Sequence, residues 1–109
     1  MRHLPCLCCL FSILASCAAR AQQSAQVQAE VREGLAALQR GEFSAAEQHL
    51  SAAVKIDPSQ AEVRANLGIA YYADHKYREA AAAFSEALKQ NGSLTTAQAF
   101  LPLSLANAN

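Results

Sequence analysis

The sequence predicts an all-α protein made of repeated helix-turn-helix units. The first observation is a set of matches at a fixed offset of 34 residues, such as Gly34 with Gly68 and Phe43 with Tyr77. The second is that apolar residues recur at three- and four-residue spacing, the period of a helix with one buried face. No stretch alternates in the manner of a strand. Together these features predict an α-solenoid of about two and a half units over residues 22–109.

Composition excludes some classes of protein. Hydrophobic residues make up 52% of the chain and charged residues 17%, a balance that does not favour disorder. Nine basic residues offset nine acidic ones, and no run of lysine or arginine is present to follow a phosphate backbone. We therefore expect no nucleic-acid partner.

Residues 1–21 have the layout of a secretory signal peptide. A short basic start at Arg2 is followed by the apolar run Leu4–Ala15, which is too short to span a bilayer. The small-x-small tripeptide Ala19–Ala21 offers a cleavage site after Ala21. This pattern predicts an exported protein, either periplasmic or secreted.

A lipid anchor is the alternative for this segment. The stretch "LASC", residues 14–17, resembles the bacterial lipobox, in which the cysteine becomes the lipidated first residue. On that reading Cys17 would hold the protein at the envelope membrane. All four cysteines lie within the first 17 residues, so residues 22–109 would be held together by packing alone.

Unit one is predicted at residues 27–60. Its first helix carries a stripe at Val27, Val31, Leu35 and Leu38, and "RGEF" then breaks the pattern. The second helix carries Ala46, Leu50, Ala53 and Val54 on one face. Ser44 with Glu47 three residues later resembles a capping box, which predicts that the second helix begins there.

Unit two is predicted at residues 61–94, with "DHK" as the turn between its helices. Gly68 lies in the middle of the first helix, where glycine costs about 1 kcal/mol relative to alanine. We expect this cost to be offset by close approach of the helix axes, with Gly68 against Ala80 and Phe84 of the second helix.

Residues 95–109 are predicted to form the first helix of a partial third unit. Leu101 and Leu105 continue the repeat register, but Pro102 occupies the glycine position. A proline inside a helix removes a hydrogen bond and costs about 3 kcal/mol, so we expect a kink or a late helix start. The outer face of this helix could instead mediate homo-oligomer formation.

These positions resemble the tetratricopeptide repeat (TPR) family, and specifically an exported bacterial TPR protein. The residues that match the family's packing pattern are Gly34, Ala46, Leu50, Ala53, Pro58, Leu67, Gly68, Tyr71, Ala80, Phe84 and Ala87. The chain departs from the pattern at Glu33 and Ala37, and the early tryptophan is replaced by Glu30 and Arg64. The resemblance covers residues 27–92.

The resemblance implies a partner-binding groove on the first helices of successive units. The matching positions are Gln28, Val31, Leu35, Leu38, Gln39, Glu62, Ala65, Asn66, Ile69, Tyr72 and Ala73. An alternative for part of this stripe, notably Leu35 and Ile69, is packing between neighbouring helices. Asn66 matches one position of the family's carboxylate clamp, but Val31 and Leu35 occupy the other two, so no clamp is expected.

The sequence offers no catalytic constellation. His49 and His75 have no His, Cys, Asp or Glu residues around them at metal-ligand spacing, so both are interpreted as solvated. The glutamates Glu30, Glu33, Glu47, Glu62, Glu79 and Glu86 are interpreted as parts of exposed faces. We predict neither enzyme activity, nor a metal site, nor a cofactor.

The leading hypothesis is therefore a non-catalytic interaction module or scaffold of the bacterial cell envelope that binds a peptide or a partner's helix. Two alternatives remain open at this point. The chain could be the N-terminal TPR piece of a larger envelope enzyme or machine, or it could be a self-associating module.

Overall fold

The computed structural model describes residues 7–109, which form five helices. These are α1 (Leu7–Gln39), α2 (Phe43–Ile56), α3 (Ala61–Ala73), α4 (Tyr77–Gln90) and α5 (Thr95–Asn107). Consecutive helices pack against each other as antiparallel neighbours, which confirms the predicted all-α helical repeat. Residues 1–6 of the predicted signal peptide, with Arg2 and Cys6, lie outside the described part of the chain.

The helices repeat at the offset predicted from the sequence. Helix α2 begins at Phe43 and α4 begins at Tyr77, 34 residues later, and their ends keep the same separation. The turns that precede these helices are also equivalent. Gly41 and His75 occupy matching positions, and both have positive φ values, 74° and 60°. Since glycine tolerates this conformation better than other residues, the turn carries more strain at His75 than at Gly41.

The linkers that follow α2 and α4 have the same geometry. The carboxylate of Asp57 accepts hydrogen bonds from the backbone and the hydroxyl of Ser59, at 3.1 and 2.6 Å. The amide oxygen of Asn91 accepts the equivalent two bonds from Ser93, at 3.2 and 2.8 Å. These Asx-type turns end each helix hairpin and redirect the chain to the next unit.

Helix α1 is longer than the repeat requires. It runs without interruption from Leu7 through residue 21 into the first unit, and its side chains from Cys9 to Gln26 are all exposed. Near the start of the repeat, Nε2 of Gln23 donates to the carbonyl of Ile56 in α2 at 2.6 Å. Within the described residues, no helix is both long and apolar enough to cross a membrane.

The core follows the small and apolar repeat positions. Ala46, Leu50 and Ala53 of α2 are fully buried, as are Ala80, Phe84 and Ala87 of α4. A Cβ atom built on Gly34 would lie 2.6 Å from Cγ of Leu50, and one built on Gly68 would lie 2.8 Å from Cε1 of Phe84. Each glycine therefore lets a large side chain of the partner helix lie against its backbone, as predicted for Gly68 and Phe84.

Two expectations about helix ends are wrong. Helix α2 begins at Phe43 after Glu42, and no side-chain hydrogen bond caps it, so Ser44 and Glu47 do not form a capping box. The positive φ at Gly41 and the bond from the Glu42 amide to the Ala37 carbonyl fix the helix start before Ser44.

Helix α5 begins at Thr95, in register, and continues through Pro102, so the expected late start is wrong, while the kink at Pro102 stays a prediction. The buried side chains of Ala97 and Ser104 hold it on either side of the proline. In addition, the Ser104 hydroxyl donates to the Phe100 carbonyl at 2.8 Å.

Candidate functional site: a cleft between α1 and α3

A cleft of about 570 Å³ opens between α1 and α3, the first helices of the two units. Its apolar surface comes from valine and leucine side chains spaced along one face of each helix. Val27 and Val63, only 2% and 4% exposed, form the floor, and Leu35, 38% exposed, stands at the side. The lining residues are Val27, Gln28, Val31, Arg32, Leu35, Ala36, Gln39, Gln60, Glu62, Val63 and Asn66.

The cleft is open because α1 and α3 make few direct contacts, while each packs extensively on α2. The distance between the two lining helices is therefore set mainly by how they pack on α2. This arrangement leaves a preformed concave surface, the usual form of a binding site.

Amide side chains provide most of the polar edge. Gln28 and Gln39 extend from α1 and Asn66 from α3, and within the described part of the chain their amides make no hydrogen bond to another protein group. Gln60 differs, because its Nε2 donates to the Asp57 carboxylate at 2.9 Å. An amide offers both a donor and an acceptor, which are the groups needed to pair with a peptide backbone.

Six of the predicted groove residues line this cleft: Gln28, Val31, Leu35, Gln39, Glu62 and Asn66. The other predicted positions lie elsewhere on the same helices. Leu38 packs on the cluster of Ala37, Ala46, Leu50 and Ala70. Ala73 is half-buried at the end of α3 and lies outside the cleft.

Between α3 and α5 the predicted groove is filled by side chains. The Tyr72 ring meets Tyr77 and Phe100 edge-on, at centroid distances of 5.2 and 5.3 Å. Ile69 packs on the cluster that contains Phe84. Ala65 is 2% exposed and belongs to the same cluster, so it packs between helices, and a role in partner contact stays a prediction. Among the described residues, the part of the predicted groove that stays open is therefore the α1–α3 side.

A family model described as "TPR repeat" matches residues 34–74, and one described as "Tetratricopeptide repeat" matches residues 61–94. The chain belongs to the tetratricopeptide repeat family. No curated protein matches it at a significant level.

Five residues that line the TPR cleft were not predicted from the sequence as groove residues: Val27, Arg32, Ala36, Gln60 and Val63. Helical spacing could have indicated Val27, which precedes Val31 by four residues, and two others. Arg32 follows Gln28 by four residues, and Ala36 follows Arg32 by four, so both lie on the same stripe of α1. Gln60 carried no such signal, because it is the residue that precedes α3.

The two residues that replace the early tryptophan of the TPR pattern both make polar contacts with other residues. Glu30 of α1 faces His49 of α2, with 2.7 Å between Oε2 and Nδ1. The Arg64 guanidinium donates to the Pro58 carbonyl from two nitrogens, at 3.3 and 3.2 Å. The interpretation of His49 as simply solvated is thus incomplete, because its ring joins the two helices of unit one.

Glu47 is not part of an exposed face, contrary to the interpretation from sequence. Its side chain is 12% exposed, and Oε2 accepts a hydrogen bond from Nζ of Lys76 at 2.8 Å. Lys76 and the nearby Asp74 belong to the turn between α3 and α4, so a carboxylate of unit one is buried against unit two.

The remaining titratable groups do not gather into a metal-binding cluster. Over the described residues, no group of three or more His, Cys, Asp or Glu side chains is placed to hold a metal ion. Cys9 and Cys17 are free and exposed on the N-terminal half of α1.

On α5, Leu103 and Leu105 are 48% and 53% exposed. Homo-oligomer formation through this helix stays a prediction.

Proposed function

We propose that the protein is a non-catalytic interaction module of the bacterial cell envelope, and that it binds a segment of another protein in the cleft between α1 and α3. The observation that supports this proposal most is the cleft's combination of an apolar floor with the amides of Gln28, Gln39 and Asn66, which make no hydrogen bond to any described residue. TPR repeats are in general modules for protein–protein interaction, which agrees with this assignment.

The lining of the cleft favours a particular kind of segment. Val27, Val31 and Val63 offer an apolar floor to two or three aliphatic or aromatic side chains. The charged lining residues are one of each sign, Arg32 and Glu62, so the surface has no strong preference for a charged partner. We propose an extended or helical peptide of low net charge, bound with little dependence on salt concentration.

Export of the protein is part of the proposal and rests on the pattern of residues 1–21. The structure is compatible with cleavage after Ala21, because the described side chains up to that residue are exposed. Gln23, whose side chain hydrogen-bonds to Ile56 of α2, would remain in the mature chain. A lipid on Cys17 would instead retain part of the exposed helix and hold the cleft near a membrane surface.

Site-specific photo-crosslinking in the native host tests the cleft directly. A crosslinking amino acid at Leu35, half-exposed beside the cleft floor, should capture a defined partner protein. The same group at Ala82, exposed on α4 outside the cleft, is the matched control and should not capture that protein. For the purified partner, Leu35→Glu should weaken binding at least about tenfold, because a charge would be buried against the apolar floor.

Circular dichroism should show that Leu35→Glu and Ala82→Glu remain folded, since both sites have exposed side chains. Equal capture from Leu35 and Ala82, or unchanged affinity in a folded Leu35→Glu protein, would contradict binding in the cleft.

A further inference from the structure

We propose that Glu47, Asp74 and Lys76 form a proton-binding contact between the two repeat units, so that proton uptake by Glu47 strengthens the docking of unit one on unit two. This inference concerns how the units are held together and does not depend on what the cleft binds. It rests on the position of three side chains at the junction of α2 with the turn between α3 and α4.

The two carboxylate oxygens of Glu47 have different surroundings. Oε2 accepts the hydrogen bond from Nζ of Lys76 at 2.8 Å. Oε1 is buried and accepts no hydrogen bond from any described residue. A buried acceptor without a partner is unfavourable, and more so on an ionised group. The ionised form of Glu47 is therefore only half-satisfied in this contact.

Asp74 offers a hydrogen-bond acceptor for a proton on Glu47. Its Oδ2 lies 3.4 Å from the same Lys76 nitrogen, so Asp74 and Glu47 share this cation, and hydrogen bonding with Asp74 raises the pKa of Glu47. A neutral Glu47 carboxyl could thus donate to Asp74, while Lys76 stays between the two acidic groups. A proton on Oε1 would change the net charge of the cluster from −1 to zero and remove the charge from the buried, unpaired oxygen.

Opposing effects act on the pKa of Glu47. Burial raises the pKa of Glu47 most, the Lys76 ammonium opposes this, and the hydrogen bond and negative charge of Asp74 raise the pKa further. The pKa of Lys76 is also raised, chiefly by its hydrogen bond to Glu47, so Lys76 stays charged throughout the range in which Glu47 titrates. On the solvent side, Tyr71 of α3 and Lys55 of α2 share a surface depression with Glu47.

The direction of the stability change follows from the raised pKa. The folded protein binds a proton at Glu47 more tightly than the unfolded chain does, so its stability increases as the pH falls through the pKa of the folded state. This gain is complete below the unfolded glutamate pKa of about 4.3. Asp57 and Glu86 have lowered pKa values, and their contributions are lost at still lower pH.

Carboxyl-carbon NMR titration of the full-length chain tests the contact. Glu47 should titrate above the ordinary glutamate range. Asp74→Asn should shift its midpoint down, because it removes the carboxylate that raises the Glu47 pKa. Lys76→Met should shift the midpoint up, because it removes the opposing cation. An ordinary midpoint, or a raised one that neither variant moves, would overturn the proposal.

Thermal unfolding as a function of pH provides the second readout. As the pH is lowered from about 7 to the ordinary glutamate pKa, the melting temperature of the unmodified protein should rise. In the Glu47→Gln variant this rise should be absent. Glutamine imitates the protonated form, so this variant should melt at pH 7 no lower than the parent. Glu86→Gln is the control, because it removes a glutamate whose pKa is lowered rather than raised. A Glu47→Gln protein that keeps the parent's pH dependence would also overturn the proposal.

Discussion

Gly34 and Gly68 show how single residues set the spacing of the helix pairs. Each lies inside its helix and faces a fully buried side chain of the partner helix, Leu50 or Phe84. Phe84 also stacks on Phe100 of α5, with centroids 5.7 Å apart and rings 22° from parallel. A side chain at position 68 would therefore disturb three helices, α3, α4 and α5.

Gly68→Ala should destabilise the protein although alanine is the better helix former. The gain in helix propensity is about 1 kcal/mol, whereas the new Cβ would lie 2.8–2.9 Å from three atoms of the Phe84 ring. Overpacking of this kind costs about 1–3 kcal/mol, so we expect a small net loss in the free energy of unfolding by urea denaturation.

Gly92→Ala is the matched control for this measurement. A Cβ there would meet only the Leu88 carbonyl oxygen, at 3.8 Å, so the free energy of unfolding should change little. Stabilisation by Gly68→Ala would mean that Phe84 can move aside, and that close approach is not what the glycine provides.

The burial of residues at repeat positions could be predicted from the sequence, whereas the burial of Glu47 could not. Phe84 and Ala80 are buried because a helical stripe places them there, and that stripe is visible in a single helix. The environment of Glu47 comes from Lys76, 29 residues later, across the boundary between units. Its spacing from Ser44 had suggested a capping box at the start of α2. In the structure Glu47 instead contacts Lys76 of the other unit.

At the scale of elements, the helix pairs are governed by their turns. The bond from the Glu42 amide to the Ala37 carbonyl has its equivalent 34 residues later, from the Lys76 amide to the Tyr71 carbonyl. The residues that precede α2 and α4 also have nearly identical backbone angles, φ −88° and ψ 71° at Glu42 against φ −89° and ψ 70° at Lys76. Backbone geometry alone therefore reproduces the hairpin, although the turn sequences differ.

Pro102→Ala should stabilise α5 by about 1–3 kcal/mol. Helix α5 continues through Pro102 even though this residue cannot donate to the Gln98 carbonyl, and alanine would restore that hydrogen bond. Thermal unfolding and helicity by circular dichroism measure the effect. Pro58→Ala, in the linker between units, is the control and should give no gain, because Pro58 lies outside the helices and its carbonyl would be retained. A lower melting temperature for Pro102→Ala would show that α5 needs the proline's geometry.

Helix bounds within the repeat were more predictable than helix behaviour at the two ends. The apolar stripe of unit one begins at Val27, whereas α1 begins at Leu7, because alanine and other helix-compatible residues continue the helix without needing a buried face. Similarly, periodicity indicated only that Pro102 is unfavourable. Whether the helix breaks there depends on the packing of Ala97 and Ser104, which a single helix does not reveal.

The whole molecule is elongated, with extents of 70 × 28 × 17 Å, partly because α1 projects beyond the repeat. Its projecting part carries exposed apolar side chains, including Phe11 at 77% and Leu14 at 68%. The packed clusters of buried residues, by contrast, lie between Val27 and Ala97. The stability of the molecule should therefore come from the repeat.

Removing residues 1–21 should leave the free energy of unfolding within about 0.5 kcal/mol of the full-length value, because no side chain described in that segment is buried. Urea denaturation of the two chains measures this. Removing residues 1–27 is the comparison, since it also deletes Gln23 and the buried Val27 and should cost about 1.5–3 kcal/mol more. A large loss from the shorter deletion would show that the projecting part of α1 takes part in folding.

The linker between α2 and α3 has a consequence for how this molecule opens. The Pro58 carbonyl accepts hydrogen bonds from Arg64 of α3 and from Gln90 of α4, and the Ile56 carbonyl accepts one from Gln23 of α1. Three helices therefore fasten a segment that would otherwise serve as a hinge. Fluctuations that expose the backbone of one unit must also release the other, so amide hydrogens in both units would exchange with solvent through one shared opening reaction.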